Sequence, residues 1–220
     1  MRGEIYRLFL VALVLLVACA SLEAAPIHSI LLPVDVVVQD SSEAGIPYMG
    51  YFAVGYYDTL GTAYPLLFDY HPPEDPHPVA SARSYVVILV DGRPYINNYQ
   101  HYLNAPPGLG ALYLSQYCTG ASRLAGTTIN TGFYIPIGGG TGIRVEQNLT
   151  PMVWPSTGEK TVRFEYNITN EDASFHTVGL LLVLDLLIED EAGDRAPVQT
   201  GPFYTSTELM LEHRIPQDWF

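Results

Sequence analysis

The sequence predicts an all-β fold: an antiparallel β-sandwich of the large or super-sandwich type, with few or no helices. Three observations carry that expectation. From Pro26 onward, short runs of β-branched and aromatic residues are separated by clusters of turn residues. Two of the runs alternate apolar and polar residues with a period of two, the pattern of strands with one dry and one wet face. Tyr (16), Gly (19) and Pro (17) are abundant and charged residues make up only 15%, which suits a turn-rich extracellular β protein better than a disordered chain.

Residues 30–39 form the first run, in which Val34, Val36, Val37 and Val38 are interrupted only by Asp35. Asp40-Ser41-Ser42 is expected to close it, and Pro33 to stand at its start or on a sheet edge, because proline has no N–H to give to a ladder. Residues 51–57 and 84–90 read as further strands. The second of these ends at Asp91-Gly92, a dipeptide suited to a two-residue hairpin turn, so residues 93–96 are expected to return as its partner, with Pro94 under the same restriction as Pro33.

The clean alternation begins at Gly142. Ile143, Val145, Gln147 and Leu149 fall on one face, and Arg144, Glu146, Asn148 and Thr150 on the other. After a turn over residues 156–160, Val162, Phe164, Tyr166 and Ile168 repeat the pattern, so the two runs are expected to be neighbours. Residues 170–174 make the next turn. Residues 177–188 are then almost continuously apolar apart from Asp185, which predicts a central strand covered on both faces. Helical signals are scarce. The best spans residues 205–214, where Thr205 and Glu208 fit a capping box, although Thr207, Leu209 and Leu211 alternate as a strand would. Two irregular segments, the four-proline stretch 69–78 and the glycine loop 135–142, are expected as surface loops.

The N-terminus reads as an export signal. Arg2 and Arg7 precede the apolar run of residues 8–19, which is too short to span about 30 Å of hydrocarbon. Leu16-Val17-Ala18-Cys19 fits a lipobox, with cleavage before Cys19 and lipid attachment to its thiol. Ala18-Cys19-Ala20 also fits an ordinary secretory site, which would release the protein free. Both place the working protein outside the cytoplasm, as a membrane-anchored lipoprotein or a secreted protein. The expected organisation is therefore a signal in residues 1–20 and one β-sandwich domain in residues 21–220.

A formal net charge of −13 with no basic cluster repels phosphate backbones, so nucleic acid is not an expected partner. The chain has two cysteines, and processing removes or acylates Cys19, which leaves Cys118 unpaired. A small buried hydrophobe is the expected role for it.

Candidate chemistry is sparse. His71, Glu74, Asp75 and His77 offer imidazole and carboxylate to a divalent cation, but the prolines between them restrict convergence on one ion and a solvated loop is the favoured reading. Glu189, Asp190, Glu191 and Asp194 surround one glycine, with Asp190, Glu191 and Asp194 the candidates for a weak calcium site. His176 and Asp185 are the notable polar residues of the apolar run, and with Glu208 they are the acid/base candidates for a sugar-active enzyme. A His at the strand entrance and an Asp at its exit is the plainer reading of the first two. Tyr56, Tyr57, Tyr95 and Tyr99 are among many tyrosines whose flat faces suit stacking on a sugar as well as packing in a core. Asn148-Leu149-Thr150 and Asn167-Ile168-Thr169 are glycosylation sequons. No phosphate-binding glycine motif and no nucleophile elbow is present.

From Tyr166-Asn167-Ile168-Thr169-Asn170-Glu171-Asp172 through His176-Thr177-Val178-Gly179-Leu180 to Leu184-Asp185, the chain resembles a module of large bacterial surface proteins. In that module a strand ending "TN-x-D" leads to "HTVGL", an "LDT" strand and an acidic turn before "PF". Here Leu186 replaces the Thr, and Pro202-Phe203 fill the last positions. The likeness covers about residues 142–220, with a weaker echo at residues 84–95. It implies a surface β-sandwich with no established activity, and a chain that is a piece of something longer.

The expected function is thus a non-enzymatic surface β-sandwich, structural or adhesive, or binding glycans or other surface proteins. A carbohydrate-active enzyme of the mutarotase-like sandwich type is the alternative.

Overall fold

In a computed structural model, residues 26–43, 45–67, 70–73, 84–155 and 158–185 are described, together with two short strands near the C-terminus. The structure is mostly β. One unit ends at Asp185 and a second follows it.

The first sheet is a meander of β1 (Ile27–Leu31), β2 (Val34–Glu43), β3 (Ile46–Tyr57) and β4 (Ala63–Pro65). The run expected at residues 30–39 is therefore two strands. Leu31 pairs with Val34, so Leu32-Pro33 forms the turn between β1 and β2, where proline's missing N–H costs the ladder nothing. Nor do Asp40-Ser41-Ser42 end the strand. β2 bulges between Gln39 and Ser41 and continues to Glu43, because the Asp40 carboxylate is taken up by buried donors.

A second meander holds β8 (Arg123–Ala125), β9 (Thr128–Gly138), β10 (Thr141–Val153) and β11 (Lys160–Asn170), in the order β11-β10-β9-β8. Here the alternation in the sequence translates directly. Ile143, Val145, Gln147 and Leu149 of β10 are fully buried, and β10 and β11 pair from Ile143 opposite Asn170 to Val153 opposite Lys160. Of the surface loop expected at residues 135–142, only Gly139-Gly140 is the β9–β10 turn: residues 135–138 belong to β9, where Ile135 is fully buried, and residues 141–142 to β10, because each glycine-rich strand end still finds its ladder partner.

The third sheet runs β12 (Val178–Val183), β5 (Tyr85–Val90), β6 (Arg93–Ile96) and β7 (Leu112–Tyr113). It is antiparallel except that β6 and β7 are parallel. Val90 pairs with Arg93 across Asp91-Gly92, and both turn residues have positive φ (51° and 78°), the primed turn that this dipeptide favours. Pro94 lies in β6 before its pairing with β7 begins at Tyr95. A five-residue helix, α1 (Tyr99–Leu103), follows, capped by the Asn98 side chain accepting from the His101 N–H.

The apolar stretch 177–188 was expected to be central and covered on both faces. Its strand is only six residues long and lies at the sheet edge, with Leu180 and Leu181 nearly half exposed (44% and 46%). The hydrophobic run reports the partner on one side, β5, and cannot by itself report a second.

The main core lies between the third and second sheets. Val86, Ile88, Val90 and Tyr95 face Phe133, Ile135, Ile143 and Val145, with Leu114 among them. The first sheet meets the second through Phe52 against Phe164 and through the Ser29 hydroxyl, which donates to Thr127 O at 2.6 Å. A further cluster gathers Val37, Tyr48, Tyr51, Ala53 and Tyr70, with Tyr99 against it.

Gly50 of β3 ties the three sheets. Its φ of +68° is left-handed, and a Cβ there would meet Thr131 Cγ2 at 2.8 Å. Its N–H donates to Asp40 Oδ1 (2.8 Å), and its carbonyl accepts from Asn97 Nδ2, just beyond β6, and from Gln147 Nε2 of β10 (3.3 and 3.1 Å). Gln147 is buried yet satisfied, since its Oε1 accepts from the Tyr166 hydroxyl.

In the second unit, β13 (Val198–Thr200) and β14 (Phe203–Thr205) form an antiparallel pair. The segments 1–20, 74–80, 186–197 and 206–220 lie outside the described residues. With them lie Cys19, Glu74, Asp75, His77, Asp190, Glu191, Asp194, the rest of the acidic turn and Glu208 with its capping box.

Candidate functional site

His176, one of the three acid/base candidates read from the sequence, sits where three connections converge. The β11–β12 connection is shaped by its own side chains. The Asp172 N–H donates to Asn170 Oδ1 (2.9 Å), Asn170 Nδ2 donates to Ser174 O (2.7 Å), and the Ser174 N–H reaches Asp172 Oδ2 (3.3 Å). This brings Asp172 against the β9–β10 hairpin, where Thr141 Oγ1 donates to Asp172 Oδ1 at 2.8 Å. The β5–β6 turn supplies Asp91. Its backbone N–H donates to Thr177 O (2.8 Å) and its Oδ1 accepts from the Thr177 N–H (2.9 Å).

His176 closes the gap between the two acids. Nδ1 lies 2.7 Å from Asp91 Oδ2, and Nε2 lies 2.9 Å from Asp172 Oδ2. The side chain is only 9% exposed. A carboxylate oxygen on each side can only accept, so both ring nitrogens must donate, and the imidazolium is the form that fits. The hydrogen bonds to Asp172 and then Asp91 hold His176 above its ordinary pKa. The bond to His176 is the largest effect in turn on Asp91 and Asp172, and both lie below the usual carboxylate range. Nearby, Arg144 Nε donates to Glu171 Oε1 at 2.6 Å. In this arrangement His176 has no free lone pair with which to act as a base or bind a metal. It is a fastener between turns.

Asp185 stands beyond the far end of β12 from His176, roughly 20 Å along a strand of this length. Its N–H donates to Ser84 Oγ at 2.9 Å. The two residues are thus a strand entrance and a strand exit, and the structure does not bring them together.

The four candidate tyrosines do not share one face. Tyr56 stacks on Tyr64 with ring centroids 5.3 Å apart, and Tyr57 ends β3 beside it in sequence. Tyr95 is buried in the main core, edge-on to Tyr117. Tyr99 opens α1 inside a cluster with Tyr48, Tyr102 and Tyr113, and its N–H donates to the Tyr51 hydroxyl. Burial, and then the contact with Tyr113, push the Tyr51 hydroxyl far above an ordinary phenol. Beside α1, the Tyr85 ring stacks on His101 at 4.5 Å.

One polar site escaped sequence reasoning. Asp35, fully buried in β2, accepts at Oδ2 from the Tyr70 hydroxyl (2.8 Å) and pairs there with His28 Nδ1 (2.9 Å); its Oδ1 has no hydrogen-bond partner among the described residues. Gly55 makes room, since a Cβ there would run into the Tyr70 ring. A single carboxylate inside a valine run was the available signal, because burial of that group demands partners.

Cys118 is free, half-buried and packed against the main core, with its Sγ donating to Gly120 O at 2.9 Å. Burial pushes the thiol above its ordinary pKa. Of the sequons, Asn148 Oδ1 accepts from Asn130 Nδ2, whereas Asn167 is exposed on β11. Among the described residues no group of three or more His, Cys, Asp and Glu could hold a metal ion, and no helix is long and apolar enough to cross a membrane. No family model, no curated protein and no solved structure matches this chain.

Proposed function

We propose that this is an extracytoplasmic β-sandwich protein, held to a membrane through lipid on Cys19, with a structural or adhesive role toward glycans or other surface proteins. The engagement of His176 carries the non-catalytic part of this reading. A mutarotase-like sugar enzyme needs an imidazole and a carboxylate poised together over a substrate. Here the imidazole is spent joining Asp91 to Asp172, and Asp185 lies at the other end of the strand. The lipobox and the likeness of residues 142–220 to bacterial surface modules support the location. The half-exposed rings of Tyr99, Tyr102 and Tyr85 support contact with a sugar face.

The test is twofold. Mass spectrometry of protein recovered from the membrane fraction should find diacylglycerol on an N-terminal Cys19, and an unmodified N-terminus at Ser21 refutes the anchor. Glycan-array binding, with and without calcium, should show ligands that are bound and left unchanged. Turnover of a bound sugar, abolished by His176→Gln, would establish the enzyme instead.

A further inference from the structure

We propose that Asn167 carries an N-linked glycan and that Asn148, the asparagine of the other sequon, does not. This rests on the extracytoplasmic part of the reading above, since only an exported chain meets the modifying machinery.

A sequon that bears a glycan needs three things of the folded surface: an asparagine amide that reaches solvent, a hydroxyl two residues on that is free to be read, and room above both for a sugar chain. Asn167-Ile168-Thr169 provides all three. Side chains alternate along β11, so Asn167 and Thr169 leave the same face of the second sheet and Ile168 leaves the other. Asn167, Ile168, Thr169 and Asn170 are all exposed, and β11 is the outermost strand of its sheet among the described residues. No hydrogen bond engages the Thr169 hydroxyl among the described residues. Asn167 Nδ2 donates to Glu165 Oε1 at 3.0 Å, a bond between neighbours on that same outer face.

Asn148-Leu149-Thr150 fails on each count. Asn148 is half-buried, and its Oδ1 accepts from Asn130 Nδ2 at 2.7 Å. Thr150 is only 9% exposed, and its Oγ1 is 2.8 Å from Thr128 Oγ1, so this hydroxyl is taken up by β9. The register also sets the two sequons in competition. Asn167 stands opposite Glu146 and Asn148 opposite Glu165, which makes the two asparagines diagonal neighbours on one face, roughly 7–8 Å apart. A sugar on the outer strand overlies the inner asparagine.

The co-reactant is an oligosaccharide carried on a lipid phosphate or pyrophosphate, and the transfer needs no oxidant or reductant. Asn167 Nδ2 attacks C1 of the first sugar. The N–C1 bond forms as the C1–O bond breaks, the lipid phosphate leaves with the electron pair, and one amide proton passes to a base of the transferase. Nδ2 begins with two hydrogens and keeps one, which can still donate to Glu165, so the fold gives up no bond.

Trypsin separates the two sequons, because cleavage after Arg144, Lys160 and Arg163 leaves Asn148 on residues 145–160 and Asn167 on residues 164–195. In protein recovered from the membrane fraction of its own host, mass spectrometry should find residues 164–195 heavier by a series of sugar residues attached at Asn167, and residues 145–160 at their sequence mass. Asn167→Gln and Thr169→Ala should each remove the added mass completely, and Thr169→Ser should retain it. The N-terminus of the same sample separates this proposal from the reading it rests on. A chain cut before Cys19 or before Ser21 but bare at Asn167 overturns the proposal alone, and a bare chain that keeps residues 1–18 overturns the location with it. Sugar on Asn148 in place of Asn167, or sugar that persists in Asn167→Gln, also overturns it.

Discussion

His176 and Asp91 stand 85 positions apart in the chain, and their side chains meet at 2.7 Å across two turns of the fold. Each secures what the other cannot reach. Asp91 fixes the backbone of Thr177, while His176 carries the connection on to Asp172 and, through Thr141, to a third turn.

This junction makes stability depend on pH with a definite sign. Because the folded pKa of His176 is raised, its contribution is fully present below the ordinary imidazole value of 6.5 and is lost as pH rises through the folded value. Asp91 and Asp172 are depressed, so their contribution is present above 3.8 and is lost as pH falls through their folded values. The thermal midpoint should therefore be highest between those two pH values and decline on the alkaline side. His176→Gln, which can donate to only one of the acids, should lower the plateau and flatten the alkaline decline. Identical melting curves for the two proteins at each pH from acid to alkaline would falsify this account.

Gly50→Ala tests the join between the sheets. An alanine there must hold a left-handed φ, which costs about 1–2 kcal/mol, and must also displace the buried Thr131 methyl. A loss of about 2–4 kcal/mol in urea unfolding, with the slope unchanged, is expected. A change below about 0.5 kcal/mol counts against the described geometry.

Tyr70→Phe removes one of the two groups on Asp35 Oδ2 and should cost about 1–3 kcal/mol, since the buried carboxyl is left with His28 alone. His28→Gln should behave similarly. In a double-mutant cycle the two should couple, because they share one acceptor atom. Strict additivity would show that they do not meet at Asp35.

Cys118 should react slowly with a disulfide reagent in the folded protein and quickly once unfolded, because burial disfavours its thiolate. Equal rates in the two states would contradict the packing seen against the main core. Cys118→Ala should be mild, as the side chain is only half-buried.

Much of this architecture was legible where local chemistry leaves little choice. Asp91-Gly92 specifies a turn with two positive φ values, and the alternation from Ile143 to Leu149 specifies which face of β10 is buried. What the sequence hid depends on neighbours distant along the chain. The valines of residues 34–38 look the same whether or not a turn at Leu32-Pro33 precedes them. The leucines of β12 do not reveal that, among the described residues, their strand pairs on one side only. α1 is five residues long and held by an Asn98 cap and tyrosine contacts, so it leaves no periodicity to find. The role of His176 was readable only in part, since its place at a strand entrance is local but the two acids that claim it are set by three turns.

The knot at Gly50 bears on how the first unit comes apart. One carbonyl accepts from the second sheet and from the segment beyond β6 of the third, while the amide beside it is held within the first sheet by Asp40, so neither neighbour can leave the first without breaking a bond at Gly50. Proton exchange at that amide should then wait for the whole unit to open, as an arch keeps its central stone until the span falls.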